Sequence, residues 1–305
     1  MTVKPDLESR MGQSTPIVDQ ALLEKLERLA LRWQKSFGGL VGGRHPAKLS
    51  GPGQEFLDHR HFHHGDDLRA INWRAYLRLE KLFLKMFQVE PRIPMRLLLD
   101  TSDSMTVGSH PKLDYAKRLV AALCYVGLVR LDTICLQPFA ASLQQNFLCT
   151  GGRHRFRPIV DYLGAIQSGG RTNYLETARQ FASTYPQRGL LIIVSDFLDD
   201  IDAIRPLQHL ADVGHELFLV QLWSPDEREP NLDGEMELTD AETGTRVQLS
   251  LDDDARSAYT AAFDEHSDKL KDLANRNGGR YIGLSTSTEL EEAIFDSLIR
   301  TGGVL

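Results

Sequence analysis

Short apolar runs bounded by polar clusters alternate along most of the chain with stretches whose apolar residues recur every three or four positions. The run Leu97-Leu98-Leu99 that follows Arg96 and the run at 190–194 lack polar interruptions, the mark of a strand buried on both faces inside a sheet. Further strands are predicted at 133–139, 143–148, 216–222 and 280–284, the first two close enough to form a hairpin. Helical spacing covers 113–130, where Leu113, Ala116, Val120, Leu123 and Gly127 share a face. It returns near 157–166, 174–185, 201–213, 254–275 and 288–299. Such alternation builds βαβ units, so the fold class is α/β with a doubly wound, mostly parallel sheet. From Trp223 the rhythm breaks. Residues 236–239 and 246–249 flank the polar turn Glu242-Thr243-Gly244, a β-hairpin inserted at about 223–252.

Ahead of the sheet the pattern differs. Residues 1–17 are polar. Leu22, Leu26, Leu29, Trp33 and Phe37 then mark one face of a helix over 19–37, started by Asp19 and ended by Gly38-Gly39. That face is expected to pack on its own domain. Residues 40–90 carry Gly and Pro turns and then a mixed stretch at 73–87. The expected organisation is an N-terminal helix and arm over 1–90, packed on an α/β domain over 91–305.

The candidate chemistry lies at strand ends, where open α/β sheets bind ligands. The first apolar run ends in Asp100-Thr101-Ser102-Asp103-Ser104, an Asp-x-Ser-x-Ser pattern. Small oxygen donors on a tight loop suit Mg²⁺, a hard cation, although Ser and Asp are also good helix caps. Gly169-Gly170-Arg171-Thr172-Asn173 adds a glycine turn and a threonine positioned to open the next helix, and the run at 190–194 ends in Ser195-Asp196. Three loops at one sheet edge would offer two carboxylates and three hydroxyls. The set resembles the metal-ion-dependent adhesion site of von Willebrand factor type A domains, a Rossmann-like fold, and the likeness extends from about Arg92 to the C-terminus. It implies that Asp100, Ser102, Ser104, Thr172 and Asp196 surround Mg²⁺, with Mn²⁺ or Ca²⁺ as alternatives.

The arm narrows the resemblance. Glu55-Phe56, Asp58, Arg60, Phe62, Gly65-Asp66-Asp67-x-Arg69-x-Ile71-Asn72-Trp73 and the later Lys85-x-Phe87-x-x-Glu90 are similar to the signature of the bacterial family called domain of unknown function 58. Phe62, His64 and Asn72 replace its usual tyrosine, proline and aspartate. The resemblance implies a partner, a MoxR-type AAA+ ATPase, and a chaperone-like role in assembly or maturation. Asp66, Asp67, Arg69 and Trp73 are candidates for a partner-binding surface, against the plainer reading of an internal network that clamps the arm.

Composition narrows the function classes. The 305 residues are 42% hydrophobic and 25% charged, as in an ordinary globular protein with a sizeable core. The net charge of −7 argues against general nucleic-acid binding. No apolar run approaches the roughly 18 residues of a membrane span, and no signal-peptide core follows the N-terminus, so a cytoplasmic protein is expected. Cys124, Cys135 and Cys149 have no metal-ligand spacing and read as packed thiols. His59, His61 and His63 alternate and would share a strand face, a weak zinc pattern without a fourth ligand. The basic run at 153–157 reads as a solvated loop or a salt-bridge partner. No phosphate loop, nucleophile elbow or dinucleotide fingerprint is present, and no histidine lies in the three loops to act as a base. The expected function is a non-enzymatic, metal-dependent protein-binding module; a metal-dependent hydrolase and a scaffold with an empty site are the alternatives.

Overall fold

The computed structural model describes residues 21–27, 50–51, 55–63, 68, 71–88, 94–129, 132–198, 203–230, 234–242 and 244–294. The chain divides into two compact units, Gly38–Ile93 and Met1–Phe37 together with Pro94–Leu305.

In the smaller unit, β1 (Ser50–Gly51), β2 (Glu55–His61) and β3 (Phe83–Gln88) form an antiparallel sheet in the order β1-β3-β2. Asn72, whose side chain accepts from the Ala75 amide, caps a short helix at Trp73–Leu79. That helix buries none of its residues, and Trp73 is exposed. Asp66, Asp67 and Arg69, expected to share a surface with Trp73, lie outside the described residues. His59 accepts from Asn72 Nδ2 at 2.6 Å and His61 packs against the Phe83 ring, so two of the three alternating histidines have neighbours other than a metal ligand set.

The larger unit is a six-stranded sheet between two helical layers. Its strands are β4 (Pro94–Asp100), β5 (Thr133–Phe139), β6 (Phe147–Cys149), β7 (Leu190–Ser195), β8 (Glu216–Trp223) and β11 (Arg280–Ser285), in the order β11-β8-β7-β4-β5-β6. All pairings are parallel except β5 with the edge strand β6. The period of two along each strand sorts its side chains between two cores. Leu97, Leu99, Ile192, Val194, Val220 and Leu222 face one layer, while Leu98, Leu191, Ile193, Leu217 and Leu219 face the other. Both faces are buried, which is why β4 and β7 read as unbroken apolar runs.

The first layer contains α1 (21–27), α3 (Lys112–Val129) and α4 (Phe156–Ala165); the second contains α5 (Tyr174–Thr184), α6 (Ile204–Asp212) and α8 (Asp253–Arg276). Here α2 denotes the helix of the smaller unit and α7 the short turn Pro225–Arg228. The N-terminal helix packs as expected where it is described. Leu22 and Leu26 are buried in the first core, and Glu27 accepts hydrogen bonds from Tyr125 Oη at 2.6 Å and from Arg153 at 2.7 Å. The basic run therefore supplies salt bridges: Arg153 to Glu27 and Arg157 to Asp161. The inserted hairpin is present as β9 (Gly234–Thr239) paired with β10 (Arg246–Leu251).

Three expectations shift in detail. Strand β6 is shorter than 143–148, because Leu143 makes only an isolated bridge to Phe139 before the chain turns. Asn173, rather than Thr172, caps α5, accepting from the Glu176 amide at 2.9 Å. The last helical segment is described only as Leu290–Glu292 and a following turn.

Candidate metal centre

The connection from β4 leads to β5 on one side, and β7 lies on the other, so the strand order reverses between the parallel strands β4 and β7. Such a switch point opens a crevice beyond the carboxyl ends of the two strands. Asp100 ends β4, and Asp196 directly follows β7.

The first loop leaves β4 through a 3-10 turn, Asp103–Thr106. The Asp100 carboxylate accepts from the Ser102 amide at 2.9 Å, which folds the loop back over the strand end. Ser102 Oγ and Ser104 Oγ lie 3.0 Å apart. Asp103, only a spacer in the motif, fastens this loop to the next one. Its amide donates to Gly170 O and its carboxylate accepts from the Gly170 amide, each at 3.0 Å. Gly170 sits at φ +87°, a conformation that favours glycine. The Gly169 amide adds a bond to Thr101 O at 2.8 Å. Thr172 follows, nearly buried, with its side chain released from capping duty.

The third loop holds Asp196 against a strained neighbour. Phe197 is fully buried at φ +57°, unusual for a bulky residue, and its ring stacks on Tyr174. Ser195 Oγ donates to Asp100 Oδ2 at 2.5 Å and lies 2.6 Å from Tyr174 Oη. The Asp196 carboxylate accepts from the Leu198 amide at 3.2 Å and from Lys112 Nζ at 2.8 Å. Lys112 is fully buried and also pairs with Glu227. A further carboxylate comes from the hairpin: Glu242 accepts from the Thr172 amide at 3.3 Å and from Thr172 Oγ1 at 3.2 Å, with a bond to Ser104 as well.

The electrostatics follow from this crowding. Burial first, and the charge of Asp196 second, push the Asp100 carboxyl up to about 7, against the pull of Ser195 and Ser102. Burial pulls the Lys112 ammonium down, but Asp196 and Glu227 outweigh it and its net shift is upward. Burial raises Glu227 and Glu242 despite their hydrogen bonds.

The donors present, carboxylate and hydroxyl oxygens, are those a hard divalent cation takes, and its charge would offset the repulsion between Asp100 and Asp196. Among the described residues no group of three or more His, Cys, Asp or Glu side chains is close enough to hold a metal ion. A cation in this crevice would need the hydroxyls of Ser102, Ser104 and Thr172 as well as carboxylates. The sequence pattern named these five residues as candidates. Lys112, Glu227, Glu242, Ser195 and Tyr174 carried no motif that marked them. The Ser-Pro-Asp-Glu start of α7 signals a helix N-terminus, not a partner for Lys112.

The strand order and the two helical layers define a doubly wound α/β protein. The chain belongs to the family described as Protein of unknown function DUF58, whose model matches residues 58–269. It is 25% identical over 280 residues to "Uncharacterized protein Mb1516" of Mycobacterium bovis, covering 90% of this chain and 87% of that protein. Solved structures similar to it include the conserved hypothetical protein BatB from Bacteroides thetaiotaomicron, at 16% identity and a TM-score of 0.41, covering 68% of this chain and 98% of that one. The SpRpn10 VWA domain is similar at 11% identity and a TM-score of 0.39, covering 66% and 93%. Among the described residues no helix is long and apolar enough to cross a membrane.

Proposed function

We propose that the chain is a non-enzymatic protein-binding module of the cytoplasm whose β4–β7 crevice is a metal-ion-dependent adhesion site. Asp100, Ser102, Ser104, Thr172 and Asp196 would hold Mg²⁺, or Mn²⁺ or Ca²⁺ in its place. What supports this reading is the set of bonds that joins the three loops at the switch point of the sheet, Asp103 with Gly170 and Ser195 with Asp100. Bound there, the cation supplies a directional bond to a carboxylate oxygen. Asp100 and Asp196 offset its charge, and Lys112 takes up the charge of Glu227, so an acidic side chain from a partner meets little net repulsion. The family resemblance makes a MoxR-type AAA+ ATPase the proposed partner, in a chaperone-like assembly or maturation step. Asp66, Asp67, Arg69 and Trp73 remain the proposed second contact, on the arm.

The test is capture of the ATPase by the full chain with Mg²⁺ and with chelator, using wild type and Thr172→Ala. That substitution removes one hydroxyl and leaves both aspartates in place. Loss of a central interface bond costs about 2–3 kcal/mol, so the reading expects binding weakened by about a hundredfold. Chelator-resistant capture that Thr172→Ala leaves unchanged would move the interface to the arm.

A further inference from the structure

The tip of the β9–β10 hairpin lies against the crevice, and one of its side chains behaves unlike its neighbours. Gly244, Thr245, Arg246 and Val247 are exposed, as expected of a polar turn. The Glu242 side chain, between them and Asp240, keeps only 9% exposure. Its backbone is set by the turn itself: the Glu242 amide donates to Asp240 Oδ1 at 2.9 Å, and the Gly244 amide donates to Asp240 O at 2.9 Å. The carboxylate so presented accepts both the amide and the hydroxyl of Thr172, and Arg171 Nε lies 3.9 Å from it. A glutamate at a solvated hairpin tip would lose side-chain entropy and hydration by docking this way, so its docking needs a specific receiver.

Resting on the metal-binding reading above, with Asp100 and Asp196 acting through water, we infer that Glu242 is a built-in ligand of the site beside the Thr172 hydroxyl, occupying the position that a partner's acidic side chain takes. The same geometry states what kind of partner fits. Val107, Leu175 and Leu198 are 42%, 51% and 36% exposed, and each lies within three residues of a site residue on a different loop. Each of the three loops thus carries an exposed apolar side chain close in sequence to a site residue. The matching ligand is a protein segment with an Asp or Glu flanked by apolar side chains, and it must displace the hairpin tip to bind. The insertion at 234–251 thereby sets the affinity threshold for partners: only a carboxylate with apolar flanks outcompetes one that is already tethered.

The experiment uses the full chain as wild type, Glu242→Ala and Asp100→Ala. Mg²⁺ affinity is measured by calorimetry, and amide hydrogen exchange is followed over 234–251 with and without Mg²⁺. Mg²⁺ should slow exchange across the hairpin in wild type and not in Glu242→Ala. The Glu242→Ala variant should bind Mg²⁺ about tenfold more weakly, and sodium acetate, supplying a free carboxylate, should restore the loss. Mg²⁺ binding that needs Asp100 but leaves hairpin exchange and Glu242→Ala affinity unchanged would overturn the inference and leave the metal site standing. Absence of Mg²⁺ binding in wild type would overturn both.

Discussion

Lys112 occupies the first residue of α3, an end of a helix where the macrodipole disfavours a cation, and it is fully buried as well. Asp196 and Glu227 compensate, and removing the ammonium would leave two carboxylates facing each other with little access to water. Lys112→Met should therefore cost about 3–5 kcal/mol in urea unfolding; a cost below about 0.5 kcal/mol would mean that the triad is not coupled in the folded state. His215 gives a pH signature away from the site. Its ring is buried, with Nε2 donating to Tyr185 O at 3.1 Å and an edge contact to Phe181. Burial, and next the Arg96 guanidinium, hold its pKa below the ordinary 6.5. The unfolded chain then takes up the proton first as pH falls. This stabilisation is complete above about 6.5 and is lost as pH drops from there through the folded-state value, with a slope of at most about 1.4 kcal/mol per pH unit. Urea unfolding of wild type and His215→Gln between pH 8 and 5 checks it: the difference between the two curves should change with pH only below about 6.5.

At the scale of elements, the approach of β11 to β8 depends on a missing side chain. A Cβ on Gly279 would lie 2.1 Å from Leu217 O, a backbone atom that cannot give way without breaking the register Arg280↔Phe218. Gly278, beside it, has open space but sits at φ +71°. Gly279→Ala should cost about 1–3 kcal/mol and loosen strand β11, whereas Gly278→Ala should cost about 1–2 kcal/mol and leave the strand in place. Hydrogen exchange over 280–285 separates the two effects. The elements themselves were largely legible. Leu97 to Leu99 and Leu191 to Val194 are buried on alternating faces, so their apolar runs named the central strands, and Asp100 and Asp196 followed from where those runs stop. Helix phase exposed α3 for the same reason. Illegible were the contacts that docking creates between distant segments. Lys112 looks like an ordinary helix-start residue until α7 and the β7 loop close over it. Glu242 looks like a turn residue until the hairpin folds onto Thr172. Asp103 reads as a spacer because its role is to bond a backbone group 67 residues away. Capping by Asn173 instead of Thr172 was equally open in the sequence, since both residue types cap well.

For the whole molecule, the larger unit joins its N-terminal helix to the sheet through Leu22, Leu26 and Glu27, while the signature arm forms a unit with its own antiparallel sheet. This division separates two roles: the α/β unit holds the oxygen-lined crevice, and the arm carries the family's densest motif. The claim on which the functional account rests is that this crevice binds a divalent cation through its hydroxyls as well as its carboxylates. Thermal unfolding of the full chain against Mg²⁺ concentration, for wild type and Ser102→Ala, tests it most directly. A ligand bound only to the native state adds about 2.7 kcal/mol at a hundred times its Kd, so the wild-type Tm should climb steadily with Mg²⁺. Ser102→Ala, which keeps every charge, should lose most of that rise. A wild-type Tm indifferent to Mg²⁺, or an equal rise in both proteins, would contradict the account.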